Sequence, residues 1–424
     1  MRVEGDRITA VGSGPAPTEG ADVVHGRGCL LTPGFVDTHQ HLYQWVTRGL
    51  AVDATLFEWL TTLYPVWAGI DEYAVYVAAT GALAQLARTG CTTTSDHHYV
   101  FPRTGGDLFA AEIAAAREVG VRFHPCRGSM DLGRSAGGLP PDEVVEDRDA
   151  VLAASDEAID RWHDPSPGSM LRIALAPCSP FSVTPELMRE SAELARRRGV
   201  RLHTHLAETL DEDAFCRERF GRTPLQYVEE LGWTGDDVWF AHGVHFDDAA
   251  VTTLGRTRTG VAHCPSSNAR LGAGIARVRD LRDAGVPVGL GVDGAASNEA
   301  GSLLEEARHA LLFARAGGGP RALAVREALE LATLGGAQVL GRADELGAIA
   351  PGHLADLALW RIDGPAHADV ADPVAALVLG APPPLELLLV GGRPVVERDR
   401  VLTVDAEAMA REAVAVHRAL LGRA

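Results

Sequence analysis

Two histidines separated by one residue, His39 and His41, follow an apolar run that extends from Cys29 to Val36. If that run forms a β-strand, both side chains point to the same side, because side chains alternate along a strand. Two imidazoles held side by side at the end of a buried strand make half of a metal site. The rest of the chain must then supply further ligands, a proton carrier and a pocket.

Other histidine and acidic residues stand at or just beyond the ends of further predicted strands. They are Asp96, His97, His98, His203, His205, Glu208, His242, His263 and Asp293. Taken alone, each is more often a structural residue, and an aspartate before a glycine is usually a turn residue. Their joint occurrence at five or more strand ends exceeds chance and predicts a metal centre.

The elements that position these residues alternate between short apolar strands and helical segments from about residue 30 to residue 340. One of the helices is predicted at residues 185–198, with a proline in its first turn. Eight such β-then-α units predict the α/β class and a closed (β/α)8 barrel of the TIM type. In such a barrel the active residues lie at the carboxyl ends of the strands. We assign residues 29–346 to the barrel, with residues 30–38 as its first strand.

Both ends of the chain differ from the barrel in composition and in predicted secondary structure. Residues 1–28 are polar and rich in glycine, whereas residues 347–424 contain short strand patterns and a helical pattern at 406–421. Neither end is large enough to fold alone. We therefore predict that residues 1–28 and 347–424 together form a small β-sandwich domain beside the barrel.

The composition indicates which kinds of partner and which cellular compartment to expect. The chain has 424 residues and a formal net charge of −18, and an acidic surface of this kind repels nucleic acid. The six cysteines are scattered without a C-x-x-C pair, which is typical of a reducing compartment. No signal segment or long apolar run is evident, so we predict a cytoplasmic protein with no membrane partner.

The ligand motifs resemble those of the amidohydrolase superfamily, in particular its deaminase/chlorohydrolase branch. The likeness includes the motif at residues 351–357 and extends from about residue 1 to residue 400. The resemblance implies that His39, His41, His205 and Asp293 bind one divalent metal, with water in an open position. Zn²⁺ is the first choice and Fe²⁺ the second, because three imidazoles and one carboxylate suit either metal. Family members are often homo-oligomers, so we expect one here.

The same resemblance implies roles in proton transfer. Glu208 would protonate a ring nitrogen and then the leaving amine, and His242 would hydrogen-bond the attacking water. Asp293 would accept the proton of that water in addition to binding the metal. His203 is predicted to support a ligand or to pack in the core, and His263 is predicted to be structural.

Several stretches resemble one subgroup, the bacterial 8-oxoguanine deaminases, which implies a purine-like substrate. They lie at residues 39–44, 63–67, 96–102, 127–142 and 176–183. Gln44 would hold a lactam edge, because an amide donates and accepts at once. Cys178 stands near the place where guanine deaminases carry an arginine, and it either contacts the substrate or packs. Trp67 and Tyr99 either stack on the ring or belong to the core.

These residues predict a metal-dependent hydrolytic deaminase that releases ammonia and converts 8-oxoguanine to urate. The first alternative is the same chemistry on guanine, isoxanthopterin or a triazine, including dechlorination. The second is a barrel that has lost catalysis and acts as a binding or assembly subunit.

The start of the chain departs from the family pattern. Family members carry another strand or two before the stretch that resembles residues 6–12. Either the small domain is reduced or the start codon is placed late.

Overall fold

The computed structural model describes residues 1–14 and 18–423. The strands are β1 (Arg2–Glu4), β2 (Arg7–Ala10), β3 (Cys29–Pro33), β4 (Phe35–Asp37), β5 (Cys91–His98), β6 (Arg122–Ser129), β7 (Ala174–Pro177), β8 (Arg201–Leu206), β9 (Val238–His242), β10 (Gly260–His263), β11 (Val288–Leu290), β12 (Leu357–Arg361), β13 (Leu385–Val390), β14 (Arg393–Glu397) and β15 (Arg400–Val401).

The α-helices are α1 (Leu56–Trp67), α2 (Glu72–Arg88), α3 (Leu108–Val119), α4 (Arg148–Trp162), α5 (Pro185–Arg198), α6 (Leu210–Phe220), α7 (Pro224–Glu230), α8 (Asp248–Thr257), α9 (Pro265–Arg270), α10 (Val278–Asp283), α11 (Leu303–Gly318), α12 (Val325–Glu330), α13 (Gly336–Val339), α14 (Pro373–Leu379) and α15 (Ala406–Leu421). A π-helical turn, Leu331–Gly335, joins α12 to α13. In the described part of the chain, none of these helices has the length and apolar character needed to cross a membrane.

Eight parallel strands, β4 to β11, close into a barrel, which confirms the predicted (β/α)8 fold. Each strand pairs with the next one in the chain, and β11 returns to β4 through the pair Leu290 and Asp37. The strands are buried along nearly their whole length, as expected when helices cover a parallel sheet. This closure brings the first and last strand ends together, so distant parts of the sequence can share one site.

Local sequence explains where the helices begin and end, and α5 is a clear case. Thr184 precedes the helix, and its side chain accepts a hydrogen bond from the backbone N–H of Leu187. Pro185 occupies the first turn, where its missing N–H is no loss. Gly199 then adopts the left-handed conformation that terminates the helix. The predicted bounds of 185–198 are confirmed.

The chain ends form a five-stranded antiparallel sheet in the order β15-β14-β13-β12-β3, beside the two-stranded sheet of β1 and β2. Ile8 of β2 and Leu357 of β12 belong to one hydrophobic cluster, against which Leu31 of β3 packs, and this cluster joins the two sheets. The single strand predicted at residues 30–38 is wrong, because β3 pairs with β12 and only β4 enters the barrel. Helix α15 contacts α1 and α2 of the barrel. The domain boundaries at 28/29 and 346/347 remain proposals, and the pairing of β3 favours moving the first to Gly34.

Gly34 is the point at which the chain leaves the small sheet for the barrel. A Cβ atom at this position would lie 2.3 Å from the side chain of Thr92, so no larger residue fits. Its N–H donates to the carbonyl of Asp356 in the small domain, at 2.8 Å. The next residue, Phe35, donates to the carbonyl of Gly90 beside the barrel, also at 2.8 Å. Two consecutive residues therefore form hydrogen bonds with different parts of the molecule.

A buried ion pair connects the same two parts. Arg122 of β6 binds both carboxylate oxygens of Asp356, with Nε–Oδ2 and Nη2–Oδ1 distances of 2.8 and 3.1 Å. Oδ1 of Asp356 also accepts the N–H of Gly391, and Nη1 of Arg122 donates to the carbonyls of Gly168 and Ser169. Every polar group of the pair thus has a partner, as a buried charge requires.

Replacing Asp356 with asparagine should lower the free energy of unfolding by about 3 kcal/mol, because it leaves the buried charge of Arg122 without its counter-charge. Denaturant titration of the variant and the wild type measures this difference. The matched control is Asp363→Asn, since Asp363 lies in an exposed ion pair with Arg361. Equal destabilisation by the two replacements would show that the buried ion pair contributes no more to the free energy of unfolding than the exposed one.

Candidate metal centre and cavity

The side chains selected from the sequence meet at the carboxyl ends of four barrel strands. They are His39 and His41 after β4, His205 on β8 with Glu208 beyond its end, His242 at the end of β9 and Asp293 beyond β11. All six are buried. Because β4 and β11 are neighbours, the N–H of Asp293 donates to the carbonyl of His39 at 2.9 Å. The barrel topology therefore explains why these residues converge.

Hydrogen bonds set the tautomers of two of the imidazoles. Nδ1 of His41 lies 2.7 Å from the carbonyl oxygen of His97, and Nδ1 of His205 lies 2.8 Å from the carbonyl oxygen of Cys178. A carbonyl can only accept, so each Nδ1 carries the proton and each Nε2 keeps a lone pair. Both lone pairs are thereby available to a metal.

The third imidazole, that of His39, acquires the same tautomer through another histidine. Nδ1 of His203 is 3.0 Å from the carbonyl of Trp239, so Nδ1 of His203 donates and its Nε2 accepts. Nδ1 of His39 lies 2.8 Å from that Nε2 and therefore donates to it. Nε2 of His39 is buried without a hydrogen-bond partner in the described part of the chain. A buried lone pair of this kind needs an explanation, and a metal provides one.

Three separations among the donor atoms are those that one small cation requires. Oδ1 of Asp293 is 3.3 Å from Nε2 of His39 and 3.2 Å from Nε2 of His41. The Nε2 atoms of His41 and His205 are 3.1 Å apart. Around a tetrahedral ion with bonds of about 2.0–2.1 Å, neighbouring ligand atoms are about 3.3 Å apart. Three imidazole nitrogens and one carboxylate thus fit a divalent metal.

Protonation states agree with this fit. Burial lowers the pKa of His39 well below its usual range and, together with the neighbouring His41, that of His205 to about 3. Burial alone would raise the pKa of Asp293, but the adjacent imidazoles of His39 and His41 outweigh it and hold that pKa well below the usual range. Metal ligation requires neutral imidazoles and an ionised carboxylate.

Glu208 and His242 form a second group beside the ligands. Oε2 of Glu208 lies 3.6 Å from Nε2 of His242, which in turn is 4.0 Å from Oδ2 of Asp293. Burial, with the negative charge of Asp293, raises the pKa of Glu208 well above its usual range, which favours the protonated acid. Oδ1 of Asn268 accepts from Nδ1 of His242 at 2.9 Å, so Nε2 of His242 is directed to Glu208 and Asp293. The pair suits proton transfer and the orientation of a water molecule.

A cavity of about 380 Å³, including its mouth, opens onto these groups. One face of α1 forms part of the wall, where Leu56, Trp59, Leu60 and Tyr64 recur at helical spacing. The remaining lining residues are His41, Tyr99, Cys178, Phe181, His205, Glu208, His242, Leu271, Asp293 and Ser297. Within the described residues no arginine lines the cavity, so its walls carry no fixed positive charge.

Comparison with protein families agrees with the site. A model described as the amidohydrolase family matches residues 30–394. The chain belongs to the amidohydrolase family. Among curated relatives, an 8-oxoguanine deaminase of Pseudomonas aeruginosa is 44% identical over 419 residues, covering 98% of this chain and 92% of the relative. An isoxanthopterin deaminase from an unknown prokaryotic organism is 39% identical, covering 99% of this chain and 92% of the relative.

Solved structures of the amidohydrolase family have the same architecture. The atrazine chlorohydrolase TrzN of Arthrobacter aurescens TC1, solved with zinc, superposes with a TM-score of 0.94 at 35% identity. The alignment covers 98% of this chain and 94% of that one. An adenosine deaminase of Xanthomonas campestris with bound zinc has a TM-score of 0.85 at 26% identity, over 93% and 87% of the two chains. These members of the family therefore hold zinc within the fold described here.

The structure divides the predicted substrate residues into two pairs. Tyr99 and Cys178 line the cavity. Burial raises the pKa of the Cys178 thiol to about 12, so it presents a neutral S–H group. Trp67 lies outside the lining and donates its indole N–H to the hydroxyl of Thr47 at 3.1 Å, as expected for the core alternative, and its contact with a substrate ring remains a proposal. Trp59, about two turns earlier on α1, is the tryptophan that reaches the cavity.

Gln44, the other predicted residue outside the lining, lies directly behind it. Its amide is buried, and within the described residues neither amide atom makes a hydrogen bond of normal geometry. A Cβ atom at Gly294 would lie 1.8 Å from Oε1 of Gln44, so the amide lies against the backbone that follows Asp293. Its role in holding a substrate edge remains a proposal.

Three residues to which the sequence analysis gave no role surround the centre. His97 donates from Nε2 to the carbonyl of Ala176 and stacks on His205, Asn268 holds His242, and Glu212 binds the backbone next to Glu208. In the sequence, the run of an aspartate and two histidines at residues 96–98 could have identified His97 as a residue near the centre. Asn268 lies within a short helix after β10, and no spacing pattern distinguished it.

Proposed function

We propose that this protein is a metal-dependent hydrolytic deaminase that replaces the exocyclic amine of 8-oxoguanine with oxygen, giving urate and ammonia. The observation that carries the proposal is the buried carboxyl of Glu208, whose pKa burial raises, placed beside His242 and the four ligand groups at a mostly apolar cavity. Likeness to relatives named for deamination of 8-oxoguanine and isoxanthopterin supports the same chemistry.

The residues of this chain supply orientation and proton transfer. When bound, a divalent metal contributes Lewis acidity that makes a water molecule nucleophilic at neutral pH. His242 orients that water, and Asp293 accepts its proton. Glu208 delivers its own proton to the ring nitrogen next to the carbon under attack, and a proton then passes to the amine. The C–N bond breaks, ammonia leaves, and a ring carbonyl remains, so one water is consumed for each ammonia released.

The cavity supports a free base as substrate. Its apolar and aromatic walls suit a flat bicyclic ring. Phosphate groups are usually bound by arginine, lysine or helix N-termini, and among the described lining residues none is an arginine. Tyr99, the Cys178 thiol and the amide of Gln44 provide polar groups for the ring edge.

For the metal we propose Zn²⁺, with Fe²⁺ as the alternative. The set of three imidazoles and one carboxylate suits both ions. Zinc in two solved relatives of the same fold supports the first choice. We also propose a cytoplasmic location, supported by the six cysteines, all of which are free thiols.

Amine release from a panel of heterocycles tests the substrate, with ammonia measured for the purine and pterin rings and alkylamine for hydroxyatrazine. We expect 8-oxoguanine to have the highest kcat/KM, ahead of guanine, isoxanthopterin and hydroxyatrazine, because the wall at Cys178 lacks a fixed charge. Urate formation, followed by its absorbance, must match the ammonia released. If 8-oxoguanine were not turned over and another ring were turned over fast, the proposed substrate would be wrong but the proposed reaction class would stand. Isoxanthopterin is the alternative favoured by the second relative.

A further inference from the structure

The backbone turns sharply just before Glu208. Ala207 has a φ of +55°, in the left-handed region that residues with a Cβ atom rarely adopt. The turn directs the chain from β8 toward α6 and leaves the Glu208 side chain among the residues that line the cavity. An L-residue keeps such a conformation only when its surroundings hold it there.

Glu212, in the first turn of α6, holds this turn from the helix side. Its Oε1 accepts the N–H of Ala207 at 2.9 Å, and its Oε2 accepts the N–H of Glu208 at 3.0 Å. The side chain is 1% exposed. Glutamate at the third helical position usually reaches back to the N–H of the N-cap residue, here Thr209. In this protein the carboxylate reaches beyond Thr209 and binds the two preceding amides instead.

The neighbouring strand holds the other side of the same segment. The carbonyl of Leu206 accepts the N–H of Gly243 at 3.1 Å, and the carbonyl of Ala207 accepts the N–H of His245 at 2.9 Å. These bonds fix the carbonyl groups but leave the two amide N–H groups to Glu212. The carboxylate is therefore the group that sets the direction in which residues 207 and 208 leave the strand.

We infer that Glu212 is a positioning residue for Glu208. Its carboxylate maintains the left-handed turn at Ala207 and thereby keeps the Glu208 carboxyl near His242, at the distance of 3.6 Å described above. Glu212 is absent from the cavity lining, so it acts through Glu208 and does not touch the substrate. The inference rests on the proposed function, in which Glu208 carries the proton.

Glu212→Gln tests the inference. The amide oxygen of glutamine can still accept one of the two backbone N–H groups, but its NH2 group cannot accept the other. We expect kcat to fall about 10- to 100-fold with little change in KM and unchanged metal content. Hydrogen exchange of the peptide covering residues 203–210 should be faster by at least about tenfold. Glu218→Gln is the matched control, since Glu218 is exposed on the same helix, and it should change none of these quantities.

A second replacement separates positioning from general damage to the fold. Glycine adopts the left-handed conformation without the cost that a Cβ atom adds. Ala207→Gly added to Glu212→Gln should therefore recover several-fold in kcat. Unchanged exchange in Glu212→Gln, or faster exchange with an unchanged kcat, would overturn the inference. No recovery in the double variant would also overturn it. If the wild type turned over none of the heterocycles, the proposed function would fail, while the exchange result would still decide whether Glu212 holds the turn.

Discussion

Glu208→Gln should lower kcat by about 10³- to 10⁴-fold while the protein keeps one metal per chain. Glutamine has the size of glutamate but cannot carry the proton that the ring nitrogen and the leaving amine require. Glu208 lies outside the set of donor atoms formed by His39, His41, His205 and Asp293, so metal content should be unaffected. Steady-state kinetics and elemental analysis of the same preparation provide the two measurements.

The exposed residue Glu218 again supplies the control, because Glu218→Gln makes the same chemical change on the neighbouring helix. Loss of metal together with activity would contradict the role assigned to Glu208 and would indicate a ligand. A variant that kept more than about a tenth of the wild-type kcat would show that another group carries the proton.

Removal of the metal with a chelator should abolish activity and lower the thermal midpoint. Without a cation, the lone pair of His39 Nε2 is buried with no partner among the described residues, and Asp293 lacks its counter-charge. Binding to the native state alone stabilises it by about 2.7 kcal/mol when free metal is 100 times the dissociation constant. Calorimetry of the chelated and reconstituted protein measures this shift, and reconstitution with Zn²⁺ or Fe²⁺ separates the two metals.

Asp293→Asn provides the matched test of the ligand set. An amide is a weaker ligand than a carboxylate and carries no charge, so the variant should bind metal at least about tenfold less tightly. Asp236→Asn, at an exposed position, should bind as the wild type does. A chelated protein with full activity, or an Asp293→Asn variant with unchanged metal affinity, would contradict the assignment.

The barrel and the candidate ligands at its strand ends were predictable from sequence because their signals are local, whereas the choice of four ligands among them came from the family resemblance. A pair of histidines at i and i+2 and acidic residues after apolar runs need only the rule that parallel strands end at one edge. The split between β3 and β4 was not predictable in this way. The apolar run across Pro33 and Gly34 resembles one strand, and the partner of β3 lies at the opposite end of the chain.

The reach of individual side chains was the second limit. Trp59 and Trp67 both belong to α1, and nothing in the sequence showed how far along the helix the cavity extends. The spacing of Thr209 and Glu212 predicted a helix start. It did not show that the carboxylate would reach past the cap to Ala207 and Glu208. Such contacts depend on the left-handed turn at Ala207, and an alanine in the sequence does not predict a left-handed conformation.

The pairing of β3 with β12 has a consequence for the order of events in the cell. Thr32 of β3 and Trp360 of β12, joined by a hydrogen bond of 3.0 Å, are 328 residues apart in the chain. At about 5–20 residues per second, the ribosome needs roughly 15–65 s to synthesise the partner of a strand that has already emerged. During that interval an apolar edge beside His39 and His41 is exposed to other nascent chains. The small sheet can therefore close on β3 only after the whole barrel, including all four metal ligands, has been synthesised.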